Sequence, residues 1–209
     1  MHLADAEGQE AISMRRIAGQ LGVGTMTLYG YVADREALLA HMLDEALDEA
    51  ELPDRPSGNW RADLELLARQ FRAICQRHSW LPLLLGGSPH LEAPRVVRAV
   101  EFCLAALEPH GMEIRSAGAV LRLLNNYVVG VSLREATEAR SAERRDDPAG
   151  YQAAVATYLQ QVISSGRYPA FGRLAQVMRD GRDLSPDESF DLGLRCLLDG
   201  VGARLAEAN

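Results

Sequence analysis

Arg15, Thr25, Met26, Thr27, Tyr29 and Tyr31 form the part of this 209-residue chain whose residue types and spacing suit a definite chemistry. Hydroxyls and free helix N-terminal N–H groups bind phosphate. An arginine fork matches the acceptor edge of guanine, and a methionine side chain makes apolar contact with a thymine methyl. Together these are the groups that read the groove of a nucleic-acid duplex. They fall where a solvated helix would ordinarily carry charges. An ordinary helical hairpin inside a bundle has the same glycine turn, so the turn alone does not discriminate; the exposed hydroxyls and rings do.

No other residues assemble into a reactive constellation. His2, His41, His78, His90 and His110 show no H-E-x-x-H or similar metal spacing. Gly86-Gly87-Ser88-Pro89-His90 departs from the G-x-S-x-G nucleophile elbow at its end. Gly22-Val23-Gly24 lacks the third glycine of a dinucleotide loop. Cys75, Cys103 and Cys196 are far apart, without CxxC spacing, and each lies in an apolar helical context. Buried thiols in a reducing cytoplasm are the expectation. The chain reads as not an enzyme, with no cofactor and no metal.

The elements that must position the first set are two short helices and a tight turn. Ser13 is an N-cap residue, able to accept from a free N–H of the first turn. Ile17, Ala18 and Leu21 share one face of the first helix, and Ala18 is small enough for a steep helix crossing. Gly22 supplies the left-handed residue that ends it. Val23 is expected to bury behind the turn, and Gly24 or Thr25 to cap the second helix. Leu28 and Val32 point back to Ile17 and Leu21. Asp34 caps a third helix, from Arg35 to about Glu51. Residues at the start of a recognition helix reach base edges in the major groove.

Met14-Arg15-Arg16-Ile17-Ala18, Leu21-Gly22-Val23, Thr27-Leu28-Tyr29 and Tyr31-Val32-Ala33-Asp34-Arg35-Glu36-Ala37-Leu38-Leu39 resemble the DNA-binding head of the TetR family of transcriptional repressors. Trp60-Arg61-Ala62-Asp63-Leu64, Arg77-His78-Ser79-Trp80, Phe190-Asp191-Leu192-Gly193-Leu194 and Leu198-Asp199-Gly200 resemble the regulatory domain of the subgroup that contains the tetracycline repressors. The resemblance implies that Arg15 and Thr25 face bases and that Met26 lies near a thymine methyl. It implies that Thr27, Tyr29 and Tyr31 hold phosphates and that Arg35 clamps the backbone. Gly30 stands where a bulkier residue is common, so one contact is missing. The tetracycline repressors hold a drug–magnesium chelate through a histidine just before the loop glycines. Leu85 stands there in this chain, so neither tetracycline nor a metal is carried over.

The net charge of −7 suits a DNA binder poorly. Over Met1–Leu47 three arginines oppose seven acids, but over Ser13–Arg35 the same three oppose only Asp34. Local charge decides, because salt screens beyond roughly 8–10 Å. Weak non-specific binding and a shallow salt dependence follow. All 22 basic residues are arginine, as in the coding of a GC-rich bacterium, which removes lysine chemistry. The uncharged stretch His78–Leu91 is broken by prolines and glycines and is too short to span a bilayer. The start lacks a basic region followed by an apolar run. A cytoplasmic protein without a membrane partner is expected. Only Met1–Glu7 precedes Gly8, so the first helix reads as truncated, with less hydrophobic support for the motif.

The fold expected is all-α: a helix-turn-helix head over 1–47, a connecting helix end and linker over 48–58, and a helical regulatory and dimerisation domain over 59–209. In the last, periodicity predicts helices from Asn59 or Trp60, from Ala93 or Pro94 to Glu108, from Arg115 to about Arg140, over Ala149–Ser165, and from Ser185 to about Ala208. His78–Pro89 and Arg140–Pro148 read as loops. Leu192, Leu194, Leu197, Leu198, Val201 and Leu205 exceed one core stripe, which a two-fold dimer with a four-helix interface would cover; one large monomeric core is the alternative. Phe71, Trp80, Phe102, Met112 and Tyr127 can line an apolar cavity or simply pack the core. Asn125 and Asn126 suit a ligand, the dimer interface or structural hydrogen bonds. These features describe a ligand-responsive repressor that binds a palindromic double-stranded DNA operator as a homodimer and is released by a small apolar or aromatic inducer. The alternative is a dimeric small-molecule-binding protein whose truncated head binds DNA poorly or not at all.

Overall fold

The computed structural model describes residues 1–86, 93–144 and 148–208. Among them every regular element is helical: α1 (His2–Glu7), α2 (Met14–Leu21), α3 (Thr25–Tyr29), α4 (Arg35–Leu47), α5 (Trp60–Arg77), α6 (Leu81–Leu85), α7 (Pro94–Leu107), α8 (Ile114–Arg144), α9 (Pro148–Ser164), α10 (Pro169–Arg179) and α11 (Pro186–Ala208). The chain is all-α, as its periodicity predicts. Two compact units result: Met1–Ala136 with Leu194–Asn209, and Thr137–Gly193. None of the described helices is long and apolar enough to cross a membrane.

Local chemistry sets the helix ends. The Ser13 hydroxyl accepts from the Arg16 N–H at 3.3 Å. Gly22 takes φ 68°, and the Val23 N–H returns to the Ala18 carbonyl at 3.0 Å, closing α2 in a left-handed cap. Asp34 accepts from the Ala37 N–H at 2.8 Å and Asn59 from the Ala62 N–H at 3.2 Å. Ser185 and Glu188 form a reciprocal capping box, each side chain accepting from the other's backbone N–H at 3.2 and 2.8 Å.

Three expectations need correction. The segment after His78 is not all loop, because Leu81–Leu85 forms α6. Pro82 lies in its first turn, where a missing N–H breaks no bond. The helix expected to stop near Arg140 runs on to Arg144. Residues 87–92, including Ser88, Pro89 and His90, and the middle of the charged segment at 145–147 lie outside the described residues. Helix α10 occupies a stretch to which the expected fold assigns no element, although Phe171, Leu174, Val177 and Met178 recur at helical spacing; none of its residues is buried.

The main core joins the N-terminal helices to those that follow. Leu3 and Ala4 of α1, Ile12, and Leu39, Met42, Leu43, Ala46 and Leu47 of α4 pack with Ile74 and Cys75 of α5, Trp80, and Leu81 and Leu84 of α6. Six residues of α1 thus bring an apolar anchor to the first helix, short as it is. A satellite core of Met14, Ala18 and Leu28, flanked by Ile17, Val32 and Leu38, holds α2 and α3 on α4. Leu21 and Val23 stay outside it, 63% and 41% exposed, contrary to the expectation that both bury. A five-residue α3 is too short to cover them.

A polar clamp reinforces the main core. His78 Nδ1 lies 2.7 Å from Asp5 Oδ1, and Nε2 lies 3.0 Å from Glu49 Oε1. Arg77 Nε donates to the other oxygen of Glu49 at 2.6 Å, and Trp80 Nε1 donates to Asp5 at 2.6 Å. A neutral imidazole has one N–H and can serve only one of its two carboxylates; the imidazolium serves both. Burial opposes charge on His78, but the hydrogen bonds to Asp5 and Glu49 prevail and raise its pKa. Burial likewise opposes charge on Asp5, where His78 and Trp80 prevail and lower the pKa. Hydrogen bonds from His78 and Arg77 lower that of Glu49.

The raised histidine contributes stability below the ordinary imidazole pKa of about 6.5 and loses it as pH rises through the folded value. The two carboxylates contribute above their ordinary range and lose it as pH falls through their lowered values. Stability should therefore peak between these limits. At pH 6, His78→Asn should cost about 1–3 kcal/mol, and thermal unfolding scans from pH 6 to 9 should show the wild-type advantage shrinking. An advantage that grows with pH would exclude the charged clamp.

Candidate nucleic-acid interface and ligand cavity

Gly24 precedes α3 as an N-cap without a side chain, so no capping group covers the first turn. Met26 is 81% and Tyr31 83% exposed. Tyr29 and Thr27 are also exposed, and Thr25 is half-buried. Leu28, one turn from Thr25, buries in the satellite core and turns the remaining side chains outward. Arg15 is exposed on α2 and pairs with no other described residue. The structure therefore presents Arg15, Met26, Thr27, Tyr29 and Tyr31 on the head's surface, with Thr25 at the start of α3. The exposed Leu21 and Val23 extend its apolar character.

The charge of this surface is thinner than the sequence count suggests. Arg16 pairs with Glu7. Arg35 is exposed but bonded within the head: Nε donates to the Ile12 carbonyl and Nη2 to the Gln9 carbonyl, both at 2.9 Å. The expected phosphate clamp instead ties the start of α4 to the turn that follows α1. Position relative to a neighbouring backbone carbonyl, which sequence spacing does not reveal, decides its role.

Behind the head lies an apolar cavity of about 300 Å³. Its walls are Leu47 at the end of α4, Leu67, Ala68 and Phe71 of α5, Leu85 of α6, Val96, Ala99 and Val100 of α7, and Leu121, Arg122, Leu124, Asn125 and Val128 of α8. Of the expected ligand residues, Phe71 and Asn125 reach it. The others belong elsewhere. Trp80 is fully buried in the main core, its N–H held by Asp5. Phe102 faces a separate groove beside Pro53–Pro56. Met112 is buried outside the cavity, Asn126 points to the exposed side of α8, and Tyr127 is half-buried away from the lining. An aromatic residue in an apolar stretch is buried by many different neighbours, so its presence alone does not place it in a cavity.

Sequence reasoning missed the bracket that links this cavity to α4. The Arg95 N–H donates to Asp44 Oδ1 at 2.8 Å, and its Nε donates to Asp48 Oδ1 at 2.7 Å. Asp44 thereby caps the start of α7 while its neighbour Val96 lines the cavity. The i,i+4 spacing of Asp44 and Asp48 was the available signal. On the far wall Arg72 Nη2 donates to Glu135 at 2.6 Å, fixing α5 to α8. Burial pushes the Cys75 and Cys103 thiols up to about 12. Cys196 is exposed, so only two of the three expected buried thiols are buried. No group of His, Cys, Asp and Glu among the described residues is arranged to hold a metal ion.

A family model described as "Tetracyclin repressor-like, C-terminal domain" matches residues 52–205. The HTH-type transcriptional repressor DrrR1 of Streptomyces coeruleorubidus is 36% identical over 99% of this chain and 76% of its own. The tetracycline repressor protein class C of Escherichia coli is 27% identical over 96% of this chain and 86% of its own. Among solved structures, apo ActR of Streptomyces coelicolor superposes with a TM-score of 0.78 at 27% identity, covering 100% of this chain and 93% of that one. ActR in complex with actinorhodin gives 0.75 at the same identity, over 98% and 93% of the two chains. With its helix-turn-helix head, its all-helical body and these relatives, the chain belongs to the TetR family of transcriptional regulators.

Proposed function

We propose that this protein is a ligand-responsive repressor that binds a palindromic DNA operator as a homodimer in the bacterial cytoplasm. The observation that carries this reading is the sharing of α4. Its start supports α3 through Leu38, and its last residue, Leu47, forms part of the cavity wall. A small molecule that fills the cavity in one position of α4 better than another shifts the population of head orientations. The structures of ActR in complex with (S)-DNPA and with actinorhodin support a small-molecule ligand for a protein of this kind.

The dimer rests on faces that single-chain packing leaves uncovered. Leu123, Asn126, Gly130 and Leu133 form an exposed row on α8, and Leu192, Cys196 and Gly200 one on α11. A Cβ added at Gly130 or Gly200 would meet nothing within 4 Å, which leaves room for close helix approach. Two helices from each protomer would build a four-helix interface, and a two-fold pair of α3 helices would read a palindrome. Domain limits at 47 and 58 fit this division of labour, with the head read as 1–47 and the regulatory part as 59–209.

Arg15, Thr25 and Met26 would meet bases, and Thr27, Tyr29 and Tyr31 phosphates. Selection of bound DNA from a random library should enrich a palindrome. On that DNA, Arg15→Ala should cost about 1–3 kcal/mol and relax preference at one position of each half-site. Tyr31→Phe should weaken all sequences alike. Failure to enrich any sequence would favour the second reading, a dimeric ligand-binding protein whose head binds DNA poorly.

With Arg16 and Arg35 engaged inside the head, few cations remain to displace counterions. The plot of log affinity against log salt should have a slope of magnitude about 2–4 for the dimer, against about 10 for a heavily basic repressor. A slope near 10, measured by fluorescence anisotropy, would refute this count of phosphate contacts.

A further inference from the structure

One cation stands in the otherwise apolar wall of the cavity. Arg122 of α8 is exposed toward solvent and lines the cavity, one turn before Asn125. It makes no hydrogen bond or ion pair to any described residue. This contrasts with the arginines of the neighbouring helices. Arg72 is bound by Glu135, Arg95 by Asp44 and Asp48, and Arg98 by the Leu52 carbonyl. Its end folds back along α8, with Nη1 3.6 Å from where a Cβ on Gly118 would stand, so Gly118 leaves it room.

A guanidinium left without a carboxylate at the edge of an apolar cavity is a receptor for an anion. In such surroundings a charge-assisted, bidentate contact is stronger and more directional than in water. Phe71 supplies an aromatic ring to the lining, and Asn125 offers two N–H donors and a carbonyl acceptor beside the cation. The volume, about 300 Å³, is at the lower end of the range for small-molecule sites, roughly 300–1,000 Å³.

We infer that the ligand of this cavity is a compact, ring-containing organic acid whose anionic group is received by Arg122 while its apolar body lies against Phe71. This rests on the reading of the cavity as the ligand site. It adds that the site selects by charge as well as by shape. A neutral molecule of the same outline buries the same apolar area but leaves Arg122 unmatched.

The test uses the full-length protein and two probes of equal shape, anthracene-2-carboxylic acid and anthracene-2-carboxamide, followed by their fluorescence. The wild type should bind the acid about tenfold or more tightly than the amide. Arg122→Gln should abolish that preference by weakening the acid far more than the amide, and Arg122→Lys should restore part of it. Because Arg122 pairs with no described residue, unfolding temperatures should match the wild type. Ala99→Phe, which fills the cavity, should weaken both probes. If both probes bind equally well and Ala99→Phe displaces both, the cavity reading stands and the acid preference is overturned. An acid preference that persists in Arg122→Gln also overturns it. If neither probe binds, or Ala99→Phe displaces neither, the cavity reading fails and the inference with it.

Discussion

A recognition helix of five residues cannot hold its own position. Isolated helices below about 12–15 residues are marginal in water, and α3 has barely more than one turn. Its place is set by two things: the Gly22 turn behind it and the packing of Leu28 against Ala18, Met14 and Leu38. Leu38 belongs to α4, and α4 belongs to the main core. The geometry of the reading face is therefore borrowed from the body. In the same way, the first helix is short but anchored, because Leu3 and Ala4 lie against residues of α4, α5 and α6. The His78 clamp and the Arg35 bonds fasten the same joint with polar groups.

The distribution of charge follows from that construction. Arginines that might have served the reading face or the cavity are used to join helices: Arg16 to Glu7, Arg35 to carbonyls, Arg95 to two aspartates of the α4 end. What remains on the head's outer face is hydroxyl, aromatic and apolar, with Arg15 as its cation. In the proposed DNA-binding role, such a face would discriminate by shape and base-edge contact more than by general attraction to phosphate. The cavity shows the same economy, with Arg122 alone unmatched in a hydrocarbon wall. In both places the proposed contact with an outside partner falls to an arginine that pairs with no described residue.

Features with local causes were legible in the sequence. Ser13, Gly22, Asp34 and Ser185 set helix ends through bonds spanning a few residues, so spacing is enough to find them. The exposure of Met26, Tyr29 and Tyr31 followed from the helical face left after Leu28 is assigned to the core. Features that depend on tertiary approach were not legible. Arg35 looks like a phosphate clamp until the Ile12 carbonyl is seen beside it. Trp80 looks like a cavity aromatic until Asp5, distant in sequence, takes its N–H. Leu21 and Val23 look buried by pattern, but a single short helix cannot cover them. Phe71 and Asn125 did reach the cavity. Phe102 and Met112 did not, because helical periodicity names the buried face without naming its neighbour. Helix α10 carries a readable signal that the expected fold leaves out, with Phe171, Leu174, Val177 and Met178 recurring at helical spacing.

The central claim is that cavity and operator compete through α4, and linkage makes it measurable. Operator affinity should be determined with the cavity empty and with it saturated by a bound organic acid, and acid affinity with the operator absent and present. The account predicts that both affinities fall by the same factor, on the order of 5–150-fold. An acid that Ala99→Phe displaces, showing that it occupies the cavity, yet that leaves operator affinity unchanged would contradict it.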